Sequence, residues 1–300
     1  MKHAVLIINP FASQVTAARI AAVTAELARV AEVETVLTAR ARHATELAEE
    51  ASRRGGCDAI FVFSGDGGFN EAVNGLEGDV PVGFVPGGGT SVLPRALGLP
   101  SDPVAAAAQL ADALASGRVR RISLGRVNGR RFTFSAGVGF DAEAVRRMDA
   151  RGRREDGRRP GDLAFVATFV RVALERHVRY DPVLEVSGLG RAAFALVANT
   201  DPYSFAKRIP LHVAPEASFE GGLDVVAPVR VRPHTIPRFL RYVVTGHGQE
   251  TATDILYAHD RDRIEVVCDV PMPLQADGED LGDVERAVFE AERGVLPVLA

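Results

Sequence analysis

One carboxylate stands between glycines in the stretch FSGDGGFNEAVNGL, residues 63–76. Gly65 precedes Asp66, Gly67 follows it, and Glu71 and Asn74 come after at helical spacing. An apolar run, Ala59 to Phe63, leads into this turn. A strand that ends in a glycine turn and feeds a helix suits a phosphate. Bare backbone N–H groups and the positive end of the helix face the anion, and no Cβ blocks its approach. A carboxylate in that place repels phosphate unless it holds a metal ion or takes a proton from an attacking hydroxyl. The residue types therefore point to phosphoryl transfer near residue 66.

Three other elements share this chemistry. Pro86-Gly87-Gly88-Gly89-Thr90-Ser91 follows the apolar run Val82 to Val85 and again joins glycines to hydroxyls at the start of a helical stretch. Such a loop suits close backbone approach to an anion. Asn9-Pro10-Phe11-Ala12-Ser13 follows the first apolar run, Ala4 to Ile8. Pro10 restricts Asn9 to extended conformations, and Ser13 is placed to cap the next helix. Asn9 and Ser13 are candidates for nucleotide contact, although an ordinary strand-to-helix turn accounts for the same residues. No GxGxxG occurs here, which counts against a dinucleotide fold. The last element is Asp277-Gly278-Glu279-Asp280, where a glycine between carboxylates makes a tight turn that can aim both side chains at one point. Taken alone it reads first as a solvated acidic hairpin tip.

The elements that must position these residues alternate at first. Strands at Val5–Ile8, Val33–Thr38, Ile60–Phe63 and Val82–Val85 are separated by helices at Ala17–Val30, Ala44–Arg54, from Asn70, and at Pro103–Ala115. Gly55-Gly56 stops the second helix; Ser101-Asp102 starts the last and Gly117 ends it. Such alternation predicts an α/β domain with a mostly parallel sheet covered on both faces. Ligands in these sheets lie at the carboxyl ends of the strands, so both glycine loops should face one crevice. Near residue 118 the rhythm changes. Asn128-Gly129 between apolar runs predicts a hairpin, and short strand candidates follow from Val183 to Ala276, with helices near Leu163–Arg176 and Ile236–Thr245. The fold class expected is an α/β N-terminal domain, residues 1–120, and a mainly antiparallel, sandwich-like β domain, residues 121–293. Residues 294–300 can return to the first domain as a final strand.

Composition narrows the classes. The 300 residues are 47% hydrophobic and 25% charged, which fits a globular chain. The net charge of −4 and the lack of basic, aromatic-interleaved patterning give no reason to expect nucleic acid. No apolar run is long enough to span a bilayer, and Ala4 to Ile8 is too short for a signal-peptide core. Cys57 and Cys268, the only cysteines, read as reduced core thiols of a cytosolic protein. Seven histidines show no metal-ligand spacing. Residues 146–159, RRMDARGRREDGRR, hold seven arginines and three acids. They read either as a solvated charged loop or as a loop facing an anionic membrane, where each cation contributes roughly 1 kcal/mol.

The order Asn-Pro-x-x-Ser, Gly-Asp-Gly-x-x-Asn-Glu, Pro-x-Gly and Asp-Gly-Glu resembles the diacylglycerol kinase catalytic family, which includes bacterial soluble lipid kinases and sphingosine and ceramide kinases. The segments Pro86–Pro100, Ser135–Asp141 (SAGVGFD) and Pro215–Asp224 (PEASFEGGLD) fit it too. The resemblance implies an NAD-kinase/diacylglycerol-kinase-like first domain, with ATP and Mg²⁺ in a cleft between two domains. It implies a nucleotide site lined by Asn9, Pro10, Ser13, Thr38, Gly65, Gly67, Gly68, Asn70, Glu71, Gly88, Gly89 and Thr90. It implies a polar centre of Asp66, Asp277 and Glu279. One carboxylate accepts the proton of a lipid hydroxyl, with Glu279 or Asp277 favoured and Asp66 acting through metal or water. The implied activity is transfer of the ATP γ-phosphate to a lipid, diacylglycerol foremost, at the cytoplasmic membrane face, by a peripheral protein without a transmembrane segment. A kinase of a soluble acceptor such as NAD, and a nucleotide-binding regulator without turnover, are the alternatives. An exposed strand edge offers a route to a homodimer.

The chain also departs from the family pattern. The usual Gly-Gly-Asp-Gly-Thr reads Ser64-Gly65-Asp66-Gly67-Gly68, so the threonine hydroxyl is missing. Ser91 replaces the usual Asn after the second glycine loop. An Asp-Asp-Gly turn that holds a second, structural Mg²⁺ in bacterial members reads Glu220-Gly221-Gly222, which leaves Glu220 as the candidate ligand.

Overall fold

The computed structural model describes residues 2–150, 168, 171–172, 174–175, 177–206 and 209–300. The helix expected at Leu163–Arg176 and residues 151–159 of the arginine-rich stretch lie largely or wholly outside the described residues. The chain forms two compact units, Met1–Ile122 with Gly294–Ala300, and Ser123–Arg293.

The first unit runs β1 (Lys2–Ile8), α1 (Ala17–Ala28), β2 (Ala31–Leu37), α2 (His43–Arg53), β3 (Ala59–Ser64), α3 (Asp66–Gly75), β4 (Val82–Pro86), α4 (Val92–Ala96) and α5 (Pro103–Ser116). Its strands are parallel, in the order β4-β3-β1-β2, and Val298 pairs in parallel with Val82 on the outer side of β4. All six residues of β3 and all five of β4 are buried. That burial on both faces explains why these strands read as unbroken apolar runs. Phe69 of α3 meets Phe84 of β4 edge to face at 5.3 Å. Helices α1 and α5 pack together, as do α2 and α3.

Local signals set the helix ends. Asp102 accepts N–H bonds from Val104 and Ala105 at 3.1 and 2.9 Å, Pro103 occupies the first turn of α5, and Gly117 ends it at φ +69°. The first helix differs from expectation. Its cap is Thr16, whose hydroxyl accepts the Arg19 N–H at 3.3 Å, and Ser13 lies three positions upstream in an exposed turn. The reason is a tether. The Gln14 N–H donates to Gly87 O at 2.8 Å, so the chain crosses to the β4 loop before the helix begins.

Strand order decides where a ligand goes. β1 has β2 on one side and β3 on the other, so the connections leaving β1 and entering β3 diverge between these two strands. Such a switch point opens a crevice at the carboxyl ends. The loops after β1, β3 and β4 all lie at that edge.

The second unit takes β5 (Val119–Val127) from Ser123 onward, then β6 (Arg130–Phe132), β7 (Ser135–Val138), α6 (Phe140–Ala150), β8 (Leu184–Val186), β9 (Gly190–Ala192) and β10 (Ala195–Ala198). β11 (Ser204–Ala206), β12 (Ile209–Leu211), β13 (Leu223–Pro228), α7 (Ile236–Thr245), β14 (Ile255–Arg261), β15 (Arg263–Ala276) and β16 (Glu279–Leu299) follow. The order β14-β13-β10-β7-β15-β16 is antiparallel throughout. Its core holds Phe132, Val138, Val197, Val225, Leu274 and Phe289.

Two hairpins matter here. Asn128 (φ +46°) and Gly129 (φ +89°) join β5 to β6, as the Asn-Gly pair predicts. Asp277 (φ +48°) and Gly278 (φ +76°) join β15 to β16, with Ala276 paired to Glu279. A two-residue loop with both φ positive matches the right-handed twist of the strands. The length of β16 was not legible in the sequence, which marks only Val295–Leu299 as strand. Residues 279–294 are rich in charge because their side chains pair across the ladder: Arg263 with Glu290 at 2.8 Å, Arg286 with Glu265 at 2.8 Å, and Arg131 with Glu292 at 2.7 Å.

Candidate active site

In the first unit the glycines serve close approach of two backbones. The Gly87 N–H donates to Ser64 O at 2.6 Å, which ties the β4 loop to the end of β3. A Cβ on Gly88 would stand 2.9 Å from the Gly65 Cα, and one on Gly65 would stand 3.3 Å from the Gly88 Cα. Gly88 thus has room for glycine alone, and a side chain at 65 would force the facing backbone to shift by a few tenths of an ångström. Gly65 forms the N-cap of α3, and its carbonyl accepts the Phe69 N–H at 3.1 Å. Asp66 then falls in the first turn of α3, where the helix dipole favours a negative side chain. Its Oδ1 accepts the Leu93 N–H at 3.2 Å, so the carboxylate also fixes the start of α4. Ser91, at φ +49°, directs its hydroxyl back to Gly88 O at 3.3 Å.

The loop after β1 closes the cradle. The Asn9 N–H donates to Phe63 O at 3.0 Å, and its Oδ1 accepts the Phe11 N–H at 3.0 Å, a local turn that replaces a backbone bond. Gln14 reaches across with Nε2 to Gly88 O at 2.6 Å, and Arg19 holds the Gln14 Oε1 at 3.0 Å. Gln14 was not singled out in the sequence; nothing in its immediate neighbours marks it. Pro10, Ser13 and Gly89 are exposed, and Gly65, Gly67, Gly68, Gly88 and Thr90 are partly buried. Thr38 is buried at the end of β2 and donates its N–H to Ile8 O at 2.8 Å. Glu71 is partly buried, and its carbonyl accepts the Thr45 hydroxyl at 2.8 Å. Asn70 turns inward: it is fully buried, and its Oδ1 accepts the Asn74 Nδ2 at 3.2 Å.

The departure at residues 64 and 68 has a geometric explanation. A Cβ on Gly68 would lie 2.0 Å from the Ser64 Oγ and 2.8 Å from the Ser64 Cβ. The Ser64 hydroxyl is buried without a hydrogen-bond partner. Ser64 therefore fills the place that a residue-68 side chain would take.

In the second unit Asp277 is buried, not a solvated tip. Its Oδ2 accepts the Thr133 N–H at 2.6 Å and the Thr133 hydroxyl at 2.9 Å, while its Oδ1 accepts the N–H groups of Phe134 (3.0 Å) and Ser135 (3.2 Å). Glu279, on the other side of Gly278, is partly exposed and pairs with Arg130 Nη2 at 2.5 Å. Asp280 accepts Arg146 Nε at 3.0 Å, and Arg146 also reaches Asp283 at 2.7 Å. Arg147 pairs with Glu143 at 2.6 Å and with Glu175. These two arginines of the 146–159 stretch thus sit in α6 and in ion pairs.

Two further polar residues lie buried behind the 277–279 turn. Asp141 accepts Gln275 Nε2 at 2.8 Å and the Tyr203 hydroxyl at 3.2 Å on Oδ2, and its Oδ1 makes no hydrogen bond. Burial pushes the Asp141 carboxyl up to about 6; the Gln275 and Tyr203 bonds and the amides at the start of α6 oppose that rise.

Metal ligation can be tested on these residues. Among the described residues no three His, Cys, Asp or Glu gather into a metal cage. Mg²⁺ is commonly held by one or two carboxylates together with substrate phosphates, and Asp66 beside the phosphate cradle fits that mode. Glu220 is exposed in a turn whose Gly222 N–H donates to Asp260 at 2.7 Å, while Asp260 accepts Arg293 at 2.8 Å.

Residues 3–127 match the family model of the diacylglycerol kinase catalytic domain. Over 111 residues the chain is 40% identical to the diacylglycerol kinase of Bacillus subtilis, a stretch covering 36% of this chain and 35% of that one. The stretches shared with curated relatives span 58%, 35% and 49% of those proteins' own lengths. The fold is similar to that of a diacylglycerol kinase from Bacillus anthracis, with a TM-score of 0.72 and 20% identity, covering 99% of this chain and 96% of that one. It is also similar to that of an NAD kinase from Archaeoglobus fulgidus in complex with ATP, with a TM-score of 0.53 and 13% identity, covering 99% and 93%.

Proposed function

We propose that this chain, whose residues 3–127 match the family model of the diacylglycerol kinase catalytic domain, is an ATP-dependent lipid kinase. It transfers the γ-phosphate to a lipid hydroxyl, with diacylglycerol as acceptor and phosphatidic acid as product. The observation that carries the reading is the pair of glycine loops pressed together at the switch point, with Asp66 between them.

In this reading backbone N–H groups of residues 66–68 and 88–90 take up phosphate oxygens, and no side chain competes for the space. Asp66 is the residue that would hold Mg²⁺, and a bound ion there would supply positive charge to offset that of the phosphates. Donor binding belongs to the first unit, and the acceptor with its base belongs to the second. Glu279 accepts the hydroxyl proton as the lipid oxygen forms its bond to the γ-phosphorus and the bond to the ADP oxygen breaks. Glu279 suits this part better than Asp277. It is partly exposed, while four donors from residues 133–135 hold the Asp277 carboxylate in place. Arg130 orients one Glu279 oxygen. A lipid acceptor puts the protein at the inner membrane face as a peripheral protein; among the described residues no helix is long and apolar enough to cross a bilayer.

The fold likeness to an NAD kinase supports a second reading, with a soluble acceptor. One experiment separates the two: γ-labelled ATP is offered with diacylglycerol in mixed micelles and, separately, with NAD. Label in phosphatidic acid supports the lipid kinase, and label in NAD alone supports the rival.

A further inference from the structure

Behind the turn that carries Glu279, the second unit holds a line of buried polar side chains. Gly278, the middle of the turn, donates its N–H to Gln275 Oε1 at 3.0 Å. Gln275 Nε2 in turn donates to Asp141 Oδ2 at 2.8 Å, and the Tyr203 hydroxyl donates to the same oxygen at 3.2 Å. Gln275 is 1% exposed and Asp141 2%. A glutamine amide presents an acceptor at one end and donors at the other. With the Gly278 N–H on one side and a carboxylate on the other, only one orientation satisfies both. The reversed amide would set N–H against N–H and oxygen against oxygen in a buried place, where each mismatch is expensive.

The fold makes room for this arrangement. A Cβ on Gly137 of β7 would stand 2.2 Å from the Asp141 Oδ2, so the carboxylate occupies the space that any other residue at 137 would fill. Tyr203 remains a donor, because burial raises its hydroxyl well above the ordinary value. The proposed base, Glu279, directly follows the Gly278 amide that this line ends on.

We propose that Asp141 is a positioning residue for the 277–279 turn, acting through Gln275, which it locks in the orientation that accepts the Gly278 N–H. The inference rests on the reading of Glu279 as the base. Asp141 needs only an acceptor oxygen for this role, so asparagine can replace it and leucine cannot.

The test uses the full chain and labelled-phosphate transfer from ATP to diacylglycerol in mixed micelles. Gln275→Leu and Asp141→Leu are expected to lower kcat about tenfold or more and to leave the ATP KM within about twofold. Asp141→Asn is expected to stay within about threefold of the parent, a rescue that packing loss does not give. In a Glu279→Gln background, Gln275→Leu is expected to add less than about twofold, because residues that act as a unit are not additive. Equal losses in both backgrounds would overturn the inference. So would parent-like turnover of Gln275→Leu beside an inactive Glu279→Gln. Parent-like turnover of Glu279→Gln instead overturns the base reading. A structural readout stands apart from activity. Hydrogen exchange at the Gly278 amide is expected to speed up about tenfold or more in Gln275→Leu and to stay slow in Asp141→Asn. Unchanged exchange in Gln275→Leu would sink the proposal even in a chain that phosphorylates nothing, and Gln275→Leu keeps the test available if Asp141→Leu does not fold.

Discussion

The most direct probe of the nucleotide cradle is the substitution Gly68→Thr. The new Cβ would lie 2.0 Å from the Ser64 hydroxyl oxygen and 2.8 Å from the Ser64 Cβ. Rotating the hydroxyl removes the first overlap and leaves the second. Ser64 cannot withdraw, because it is buried at the end of β3 and its carbonyl accepts the Gly87 N–H at 2.6 Å. Overpacking of this kind destabilises by about 1–3 kcal/mol. Replacing glycine in a helix returns a few tenths of a kcal/mol, so the net loss expected is about 2 kcal/mol. Ser64→Gly removes a buried hydroxyl without a hydrogen-bond partner, and its effect is expected to be within about 1 kcal/mol. The double variant Ser64→Gly/Gly68→Thr therefore recovers most of the loss, with a coupling of about 2 kcal/mol, inside the range known for residues in contact. Urea unfolding followed by circular dichroism measures all four proteins, provided the m-value stays constant. Additive losses in the double variant would refute the claim that one side chain serves both positions.

Other consequences can be measured alongside. Asp66→Asn retains an oxygen for the Leu93 N–H and so keeps the fold, but it is expected to lower phosphate transfer about tenfold or more through the lost charge beside the phosphates. Thr133→Val removes the hydroxyl bond to the buried Asp277 carboxylate and is expected to destabilise by about 1–3 kcal/mol in thermal or urea unfolding. Asp141 sets a pH dependence. Its carboxyl titrates about 6 when folded against 3.8 ordinarily, so the unfolded chain loses its proton first as pH rises. Stability present below pH 3.8 is then lost as pH rises through 6, by about 3 kcal/mol, and the fall is absent from Asp141→Asn. Comparing the parent with that variant between these pH values isolates the effect from the other carboxylates.

The parts of the fold written in local residue pairs could be read from the sequence. Asp102 and Gly117 mark both ends of α5, and Asn128-Gly129 marks its hairpin, because caps and two-residue turns depend on a few adjacent residues. The glycine loops were legible as a pair, since each follows a buried strand of one parallel sheet. What escaped depends on distant partners. Thr16 rather than Ser13 caps α1 because of a tether to Gly87, seventy-odd positions away. The charged first part of β16 looks like solvent loop until its partners on β15 and β6 are known. Gln14 and Gln275 carry no local signature at all; each is defined by the backbone group it reaches.

The decisive measurement is transfer of labelled phosphate from ATP to a panel of hydroxylated lipids in mixed micelles, with NAD as a separate acceptor and with Asp66→Asn and Glu279→Gln as controls. The account predicts label in phosphatidic acid and losses of about 10²-fold or more in Glu279→Gln, the size of a missing general base. No label in any lipid, or parent-like turnover once the Glu279 carboxylate is gone, contradicts it.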